Sequence, residues 1–178
     1  MDHDHYADTY IRTLLDEVKT IAVVGASANA ARPSFFVVRY LAQKGYDVYP
    51  VNPGHAGKPI AGCMSYASLR EVPLAVDMVD IFRNSEAALG VVKDALALQP
   101  RPKAIWMQLG VRHDEAAALA EEHGIKIVMN RCPKIEFGRL SGEIGWVGVN
   151  SRVLSSKRAT LHGKGFQQLG LASQRNKP

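Results

Sequence analysis

The sequence predicts a single α/β domain of the Rossmann type, in which helices cover both faces of a doubly wound, mainly parallel five-stranded sheet. Short, nearly continuous apolar runs recur along the chain, and amphipathic helical segments separate them. Such strands are typical of parallel sheets that are buried on both faces. A length of 178 residues suits one domain with a substantial core rather than two.

The first part of the chain alternates between helices and strands. Apolar residues at helical spacing predict an opening helix over about residues 6–18, and a strand follows at Ile21–Val24. Pro33 is tolerated in the first turn of a helix, and Gly45 is suited to the position just after a helix ends. We therefore expect a second helix between them, followed by a second strand at Asp47–Val51.

The same alternation continues to about residue 137. The predicted strands are Ala75–Ile81, Lys103–Gln108 and Ile125–Met129, and the predicted helices are Ser85–Leu98, a segment capped by Asp114 that ends near Gly124, and a short piece at Pro133–Phe137.

Doubly wound sheets bind their ligands outside the carboxyl ends of the strands, where the strand order reverses beside the first strand. The segments expected at that edge are Gly25–Ala30, Asn52–Pro53, Ile81–Arg83, Gln108–Gly110 and Asn130–Cys132.

The positive charge of the chain is concentrated near its C-terminus. Residues 1–150 carry 16 basic and 17 acidic side chains, whereas six basic and no acidic residues follow. We therefore expect a domain over residues 1–145, with no nucleic-acid partner for this core, and a basic, partly disordered tail over residues 146–178.

Several classes of protein are not indicated. No apolar run approaches the roughly 20 residues of a membrane span, and the N-terminus lacks the features of a secretory signal, so we expect a cytoplasmic protein without a membrane partner. Cys63 and Cys132 form no C-x-x-C pair, and the six histidines lack metal-ligand spacing. We predict neither a disulfide framework nor a metal site.

The loop after the first strand is a candidate phosphate site, since it joins a strand to a helix N-terminus. Of the three glycines in G-x-G-x-x-G only Gly25 is present, so an ordinary tight turn remains an equal alternative. The second strand ends in Asn52-Pro53 rather than in the acidic residue of an NAD site. Arg32 and Lys58 would suit a ligand with additional phosphate, although each could equally be a solvated surface charge.

Five blocks of sequence carry a resemblance to a known family. The succession IAVVGASANAARPS, YPVNPG, VDMVDIFRNSE, IWMQLGV and VMNRCPKIEFGRL is similar to the stand-alone CoA-binding proteins related to the N-terminal domain of the succinyl-CoA synthetase α subunit. The resemblance covers roughly residues 12–140. It implies that coenzyme A contacts two groups of residues: Gly25, Ala26, Ser27, Asn52, Pro53, Ile81, Phe82 and Arg83 at the nucleotide end, and Gln108 and Gly110 near the pantetheine.

Three of the candidate residues keep an alternative interpretation. Phe82 could flank an adenine or pack in the core. Arg83 could meet a phosphate or pair with Asp80 or Glu86. Cys132, at a helix entrance beside Arg131, could be a reactive thiol of lowered pKa or an inert buried residue.

The resemblance implies a non-catalytic binding module for CoA or acyl-CoA, acting as a carrier, sensor or regulatory subunit. In the synthetase, the phosphorylated histidine and the ATP-binding region lie outside the CoA-binding domain, and no catalytic residue is predicted in this chain. The alternatives are a small NAD(P)- or CoA-dependent enzyme, a subunit of an acyl-CoA ligase, and a thiol-redox regulator that uses Cys132. A homo-oligomer or a ligase-like partner subunit is compatible with each.

Overall fold

The computed structural model describes residues 2–142, which form helices around a five-stranded sheet. The helices are α1 (Asp8–Glu17), α2 (Pro33–Gln43), α3 (Ser85–Leu96), α4 (Asp114–Glu122) and α5 (Pro133–Leu140). The strands are β1 (Thr20–Val24), β2 (Asp47–Val51), β3 (Pro59–Ile60), β4 (Cys63–Met64), β5 (Met78–Ile81), β6 (Ala104–Met107) and β7 (Lys126–Val128). The predicted domain boundary at residue 145 and the tail over residues 146–178 lie outside the described part of the chain.

The large sheet is parallel throughout and has the order β2-β1-β5-β6-β7. The chain runs from β1 outward to β2 and then returns to build the other half of the sheet from β5 onward, so the strand order reverses between β1 and β5. This arrangement confirms the predicted doubly wound Rossmann-type fold.

Successive side chains along each buried strand point to opposite faces of the sheet, so the strands contribute to two cores, one on each face. Ile21 and Val23 of β1 face a core that includes residues of α1, α2 and α5, whereas Ala22 faces a core that includes residues of α3 and α4. The largest fully buried side chains, Trp106 and Phe137, both lie in the first core. Neither face of the sheet is left for solvent, which explains why the strand sequences are apolar on both sides.

Two predicted boundaries are wrong for identifiable reasons. Strand β5 begins at Met78 rather than Ala75, and the side chain of Asp77 instead accepts hydrogen bonds from the backbone N–H groups of Lys19 (2.9 Å) and Thr20 (3.2 Å). Helix α4 is capped by His113, whose Nδ1 accepts from the N–H of Ala116 at 3.2 Å.

The antiparallel pair β3-β4 is not predicted from the sequence, because two-residue strands are too short to show a periodicity. No helix within residues 2–142 is long and apolar enough to cross a membrane.

Candidate functional site

A cleft of about 540 Å³ opens at the carboxyl ends of β5 and β6, on the face of the sheet that carries α2 and α5. Helix α2 supplies Pro33, Phe36 and Val37, and the start of α5 supplies Cys132, Lys134 and Ile135. The remaining lining residues are Ala31, Phe82, Arg83, Gln108, Leu109 and Val111. Three of the large apolar side chains that are exposed within residues 2–142, Phe36, Leu109 and Ile135, belong to this cleft. It is therefore a predominantly apolar depression with a few polar groups.

Gly25 allows two strand ends to approach each other at this edge. Its φ is +86°, and a Cβ atom added there would lie 2.4 Å from the carbonyl oxygen of Phe82 and 2.8 Å from Cδ of Arg83. Its N–H donates to the carbonyl oxygen of Val51 at 2.9 Å. A side chain at this position would push the segment after β5 away, so glycine is required by both conformation and space.

Several N–H groups of the glycine loop are already engaged by the loop itself. The N–H of Ser27 donates to Oγ of Ser34 at 3.0 Å, that of Asn29 to Oγ of Ser27 at 3.2 Å, and that of Ala31 to Oδ1 of Asn29 at 2.9 Å. These three N–H groups are therefore engaged within the protein. Ala26 is fully buried, and the backbone at Ser27 serves to hold the loop against α2.

Asn52 connects the end of β2 to the same loop. Its Nδ2 donates to the carbonyl oxygen of Ala26 at 2.7 Å, while its Oδ1 accepts from the N–H of Gly54 at 2.9 Å and caps the turn Pro53–His55. The side-chain amide is thus committed to protein contacts. Pro53 sits in this exposed turn, outside the cleft lining.

Arg32 and Lys58, the other two cations predicted to bind phosphate, do not line the cleft as Arg83 does. Arg32 is the exposed residue just before α2 and adjoins Ala31 and Pro33 of the cleft wall. Lys58 is exposed beyond the Pro53–His55 turn, and it does not line the cleft. The structure therefore brings Arg32 near the cleft and leaves Lys58 outside it.

Ile81, Phe82 and Arg83 follow one another, but they face different surroundings. The Ile81 side chain is fully buried in the core against α3 and α4 and does not line the cleft. Phe82 lines the cleft while packing partly against the other core, a position that fits both of its interpretations. Arg83 is exposed in the cleft and forms no ion pair with Asp80, Glu86 or any other residue between 2 and 142.

Gln108 lies on the cleft floor, where its Nε2 donates to Oδ1 and Oδ2 of Asp80 at 2.9 and 3.0 Å. Gly110 is two residues further along, in an exposed loop with φ +77°, where its N–H donates to Oδ1 of Asn130 at 2.8 Å. Of these two predicted pantetheine contacts, Gln108 lines the cleft and Gly110 does not.

Asp80 is the residue of this site that sequence reasoning missed. It is fully buried on the cleft-side face of β5, and burial raises its pKa to about 8 although the hydrogen bond from Gln108 opposes the shift. Its signal in the sequence is an acidic residue between two apolar ones, Val79 and Ile81, inside a strand buried on both faces.

Cys132 lines the cleft as the residue preceding α5, but its surroundings oppose a thiolate. Burial raises the pKa of its thiol, and the negative charge of Asp80 adds to this effect, whereas the N–H groups at the start of α5 only partly offset it. The Arg131 guanidinium turns away, since its NH2 donates to the carbonyl oxygen of Asp4 at 3.3 Å and it lies over the Tyr6 ring. Of the two interpretations of Cys132, these surroundings favour the inert buried residue over a thiol of lowered pKa.

Comparison with known proteins gives a consistent result. The sequence model of the CoA binding domain family matches residues 19–138. The Bacillus subtilis protein YneT is 33% identical over 125 residues, which are 70% of this chain and 90% of YneT. A Thermus thermophilus structure, cell-free ID.343, is 39% identical with a TM-score of 0.70, covering 75% of this chain and 98% of that one.

An acetate–CoA ligase and an acetyl-coenzyme A synthetase contain a similar region as a small part of a longer chain. An ADP-forming acetate–CoA ligase of Archaeoglobus fulgidus is 42% identical over 65 residues, which are 35% of this chain and 9% of the ligase. A dinucleotide-forming acetyl-coenzyme A synthetase of Candidatus Korarchaeum cryptofilum, solved with phosphate and ADP, is 27% identical with a TM-score of 0.54. The alignment covers 63% of this chain and 26% of the synthetase.

Proposed function

The chain belongs to the CoA binding domain family, and from this premise we propose that the cleft between α2 and α5 binds coenzyme A or an acyl-CoA. The observation that carries the proposal is that every lining residue of the cleft falls within residues 19–138, the segment that defines the family match. The domain would act as a binding module, as a carrier, sensor or regulatory subunit, without activating an acid itself.

The charges around the cleft suit a ligand with several phosphates. Arg83 lines the cleft free of ion pairs to residues 2–142, and Lys134 lines the opposite wall with its Nζ 5.7 Å from the centre of the Tyr40 ring. Arg32 adds a third cation at the start of α2. Guanidinium and ammonium groups form charge-assisted hydrogen bonds with phosphate oxygens. We assign the phosphates of CoA to this rim.

The apolar walls suit the rest of the ligand. Phe82 offers an aromatic face at the strand end, and the side chains of Phe36, Leu109 and Ile135 are exposed. Covering such side chains would remove apolar surface from water, which favours binding. The polar floor group Gln108 would serve one amide of the pantetheine arm.

Calorimetry of the purified protein against CoA, acetyl-CoA, NAD and NADP tests the proposal. We expect CoA or acetyl-CoA to bind most tightly, and Arg83→Gln to weaken that binding by about tenfold through loss of a charge-assisted contact. Arg70→Gln is the matched control, because Arg70 is an exposed cation on the turn Leu69–Glu71, outside the cleft. Tighter binding of NAD than of CoA, or equal effects of the two variants, would contradict the assignment.

A ligase-like role is the second candidate, because the Archaeoglobus fulgidus relative is described as an acetate–CoA ligase. Incubation with acetate, CoA and ATP separates the two. We expect no acetyl-CoA from this chain alone, and formation of acetyl-CoA would make it an enzyme rather than a binding module.

A further inference from the structure

The carboxyl group of Asp80 has a single hydrogen-bond partner within residues 2–142, and that partner lines the cleft. Both carboxyl oxygens accept from the same atom, Nε2 of Gln108, at 2.9 and 3.0 Å. Asp80 itself has no exposed surface, and no charged side chain of the described residues forms an ion pair with it. A buried carboxyl with so little compensation is costly for stability, so its position calls for another explanation.

The pairing fixes the orientation of the Gln108 side chain. An ionised carboxylate only accepts hydrogen bonds, so it must be met by the NH₂ group of the Gln108 amide rather than by its oxygen. With Nε2 directed inward, the Gln108 oxygen Oε1 accepts no hydrogen bond from residues 2–142, and it is not fully enclosed by protein. Among the described residues nothing donates to this acceptor, and Gln108 lines a mainly apolar cleft.

We propose that Asp80 is a positioning residue that sets which end of the Gln108 amide faces the cleft. The ionised carboxylate turns the Gln108 oxygen outward, where it accepts a hydrogen bond from an amide N–H of the pantetheine arm. This inference rests on the proposed binding of CoA. The pantetheine arm carries two amide N–H donors, so the acceptor selects a ligand by its amide rather than by its phosphates.

Protonation of Asp80 would reverse the arrangement. A neutral carboxyl has an O–H donor, and a turned Gln108 amide would meet it with its oxygen while presenting its NH₂ group to the cleft. Burial favours the neutral form in the free protein. Binding of an N–H donor favours the ionised form, because only that form directs an acceptor outward. Ligand binding and loss of the Asp80 proton are therefore coupled.

The other titratable groups around the cleft do not account for such coupling. The thiol of Cys132, at the start of α5, faces Asp80 and is held neutral by burial. Arg83 after β5 and Lys134 on α5 are cations, and α2 lines the cleft with Pro33, Phe36 and Val37, which do not titrate.

Two CoA analogues, each with one pantetheine amide replaced by an ester, test the proposed contact. An ester lacks the N–H donor while keeping the shape of the arm. We expect one analogue to bind the wild-type protein about tenfold more weakly than CoA, because the Gln108 oxygen loses its donor. The Gln108→Met variant should bind CoA and both analogues with similar affinity. If CoA binds but neither analogue is weakened, the Gln108 assignment is wrong; if CoA itself does not bind, the proposed function fails instead.

Proton release on binding tests the role of Asp80 separately from its packing. CoA binding is measured by calorimetry at pH 7 in two buffers of different ionisation enthalpy, for the wild type and for Asp80→Asn. Titration of the CoA phosphate contributes equally to both proteins. We expect the wild type to release between about half and one proton more than the variant, and its affinity to rise between pH 6 and 8. Equal proton release by two folded, CoA-binding proteins would overturn the proposal.

Discussion

Asp77 lies just before strand β5 and Asp80 lies within it, and the pKa values of their carboxyl groups are shifted in opposite directions. At the amino edge of the sheet, Asp77 accepts from two backbone N–H groups and from Lys103 Nζ at 2.8 Å. Burial by itself would raise the Asp77 pKa, but these partners outweigh it and lower the pKa. Toward the carboxyl edge, Asp80 has one amide partner and its pKa is raised to about 8.

The difference shows which edge of the sheet is committed to stability. At the amino edge, Asp77 and its partners satisfy one another. The carboxyl edge holds an acceptor at Gln108, cations at Arg83 and Lys134, and exposed apolar side chains. Strained conformations and incompletely satisfied polar groups tend to gather at functional sites. The same strand therefore joins a structural edge to the edge at which we propose that the ligand binds.

The largest expected effect on stability comes from adding a side chain at Gly25, where two strand ends lie close together at the carboxyl edge of the sheet. Gly25→Ala should destabilise the fold by about 3 kcal/mol or more, because the new Cβ would meet the Phe82 carbonyl oxygen and adopt a positive φ. Gly62→Ala is the matched control, since Gly62 has φ +89° but no atom within 4 Å of an added Cβ. That variant should lose only about 1 kcal/mol. Urea unfolding measures both, and equal losses would show that strain alone, and not the approach of the strand ends, requires Gly25.

The next effect concerns Asp80 and pH. Because the folded pKa is raised above the unfolded value near 3.9, the folded state binds more protons between these values, and stability falls as pH rises toward about 8. Asp80→Asn removes the titration and should be more stable than wild type by a few kcal/mol at pH 9, with little difference at pH 4. Urea unfolding at several pH values measures this, and parallel pH profiles for the two proteins would contradict the assigned burial cost.

Replacing Asp77 should change the stability of the fold in the opposite direction. Its lowered pKa contributes stability that is present above the unfolded pKa and is lost as pH falls through the folded value. Asp77→Asn should therefore cost about 1 kcal/mol at pH 7, a modest figure because the Lys103 side chain is 53% exposed. The cost should shrink toward pH 3. A stabilising effect at pH 7 would remove the contrast between the two edges.

The sequence was sufficient for the fold because its signals are repeated and redundant. Apolar strands, Pro33 at a helix start and Gly45 after a helix end each indicate the same alternation, and β2 has the predicted bounds. The site is less predictable, since it depends on side-chain directions at strand ends. Ile81 and Phe82 are neighbours in sequence, yet one is in the core behind the sheet and the other lines the cleft.

Asp80 and Cys132 show the second limit of sequence reasoning. The pKa of each group is set mainly by burial, which depends on the packing of α2 and α5 over the strand ends. A helix entrance beside an arginine suggested an acidic thiol, but the direction of the Arg131 side chain is decided by a contact with the distant N-terminal segment at Asp4. Contacts between residues so far apart in sequence leave no local pattern.

The smallest expected effect compares the two thiols. Both pKa values are raised by burial, and Cys132 is more enclosed than the half-buried Cys63. Since the thiolate is the reactive species, iodoacetamide at pH 7 should modify Cys63 severalfold faster than Cys132. CoA should slow Cys132 further by covering the cleft that it lines, while leaving Cys63 unchanged. Mass spectrometry of the two cysteine peptides over time gives both rates. Faster modification of Cys132 would restore the interpretation of Cys132 as a reactive thiol and make the carboxyl edge a site of chemistry as well as of binding.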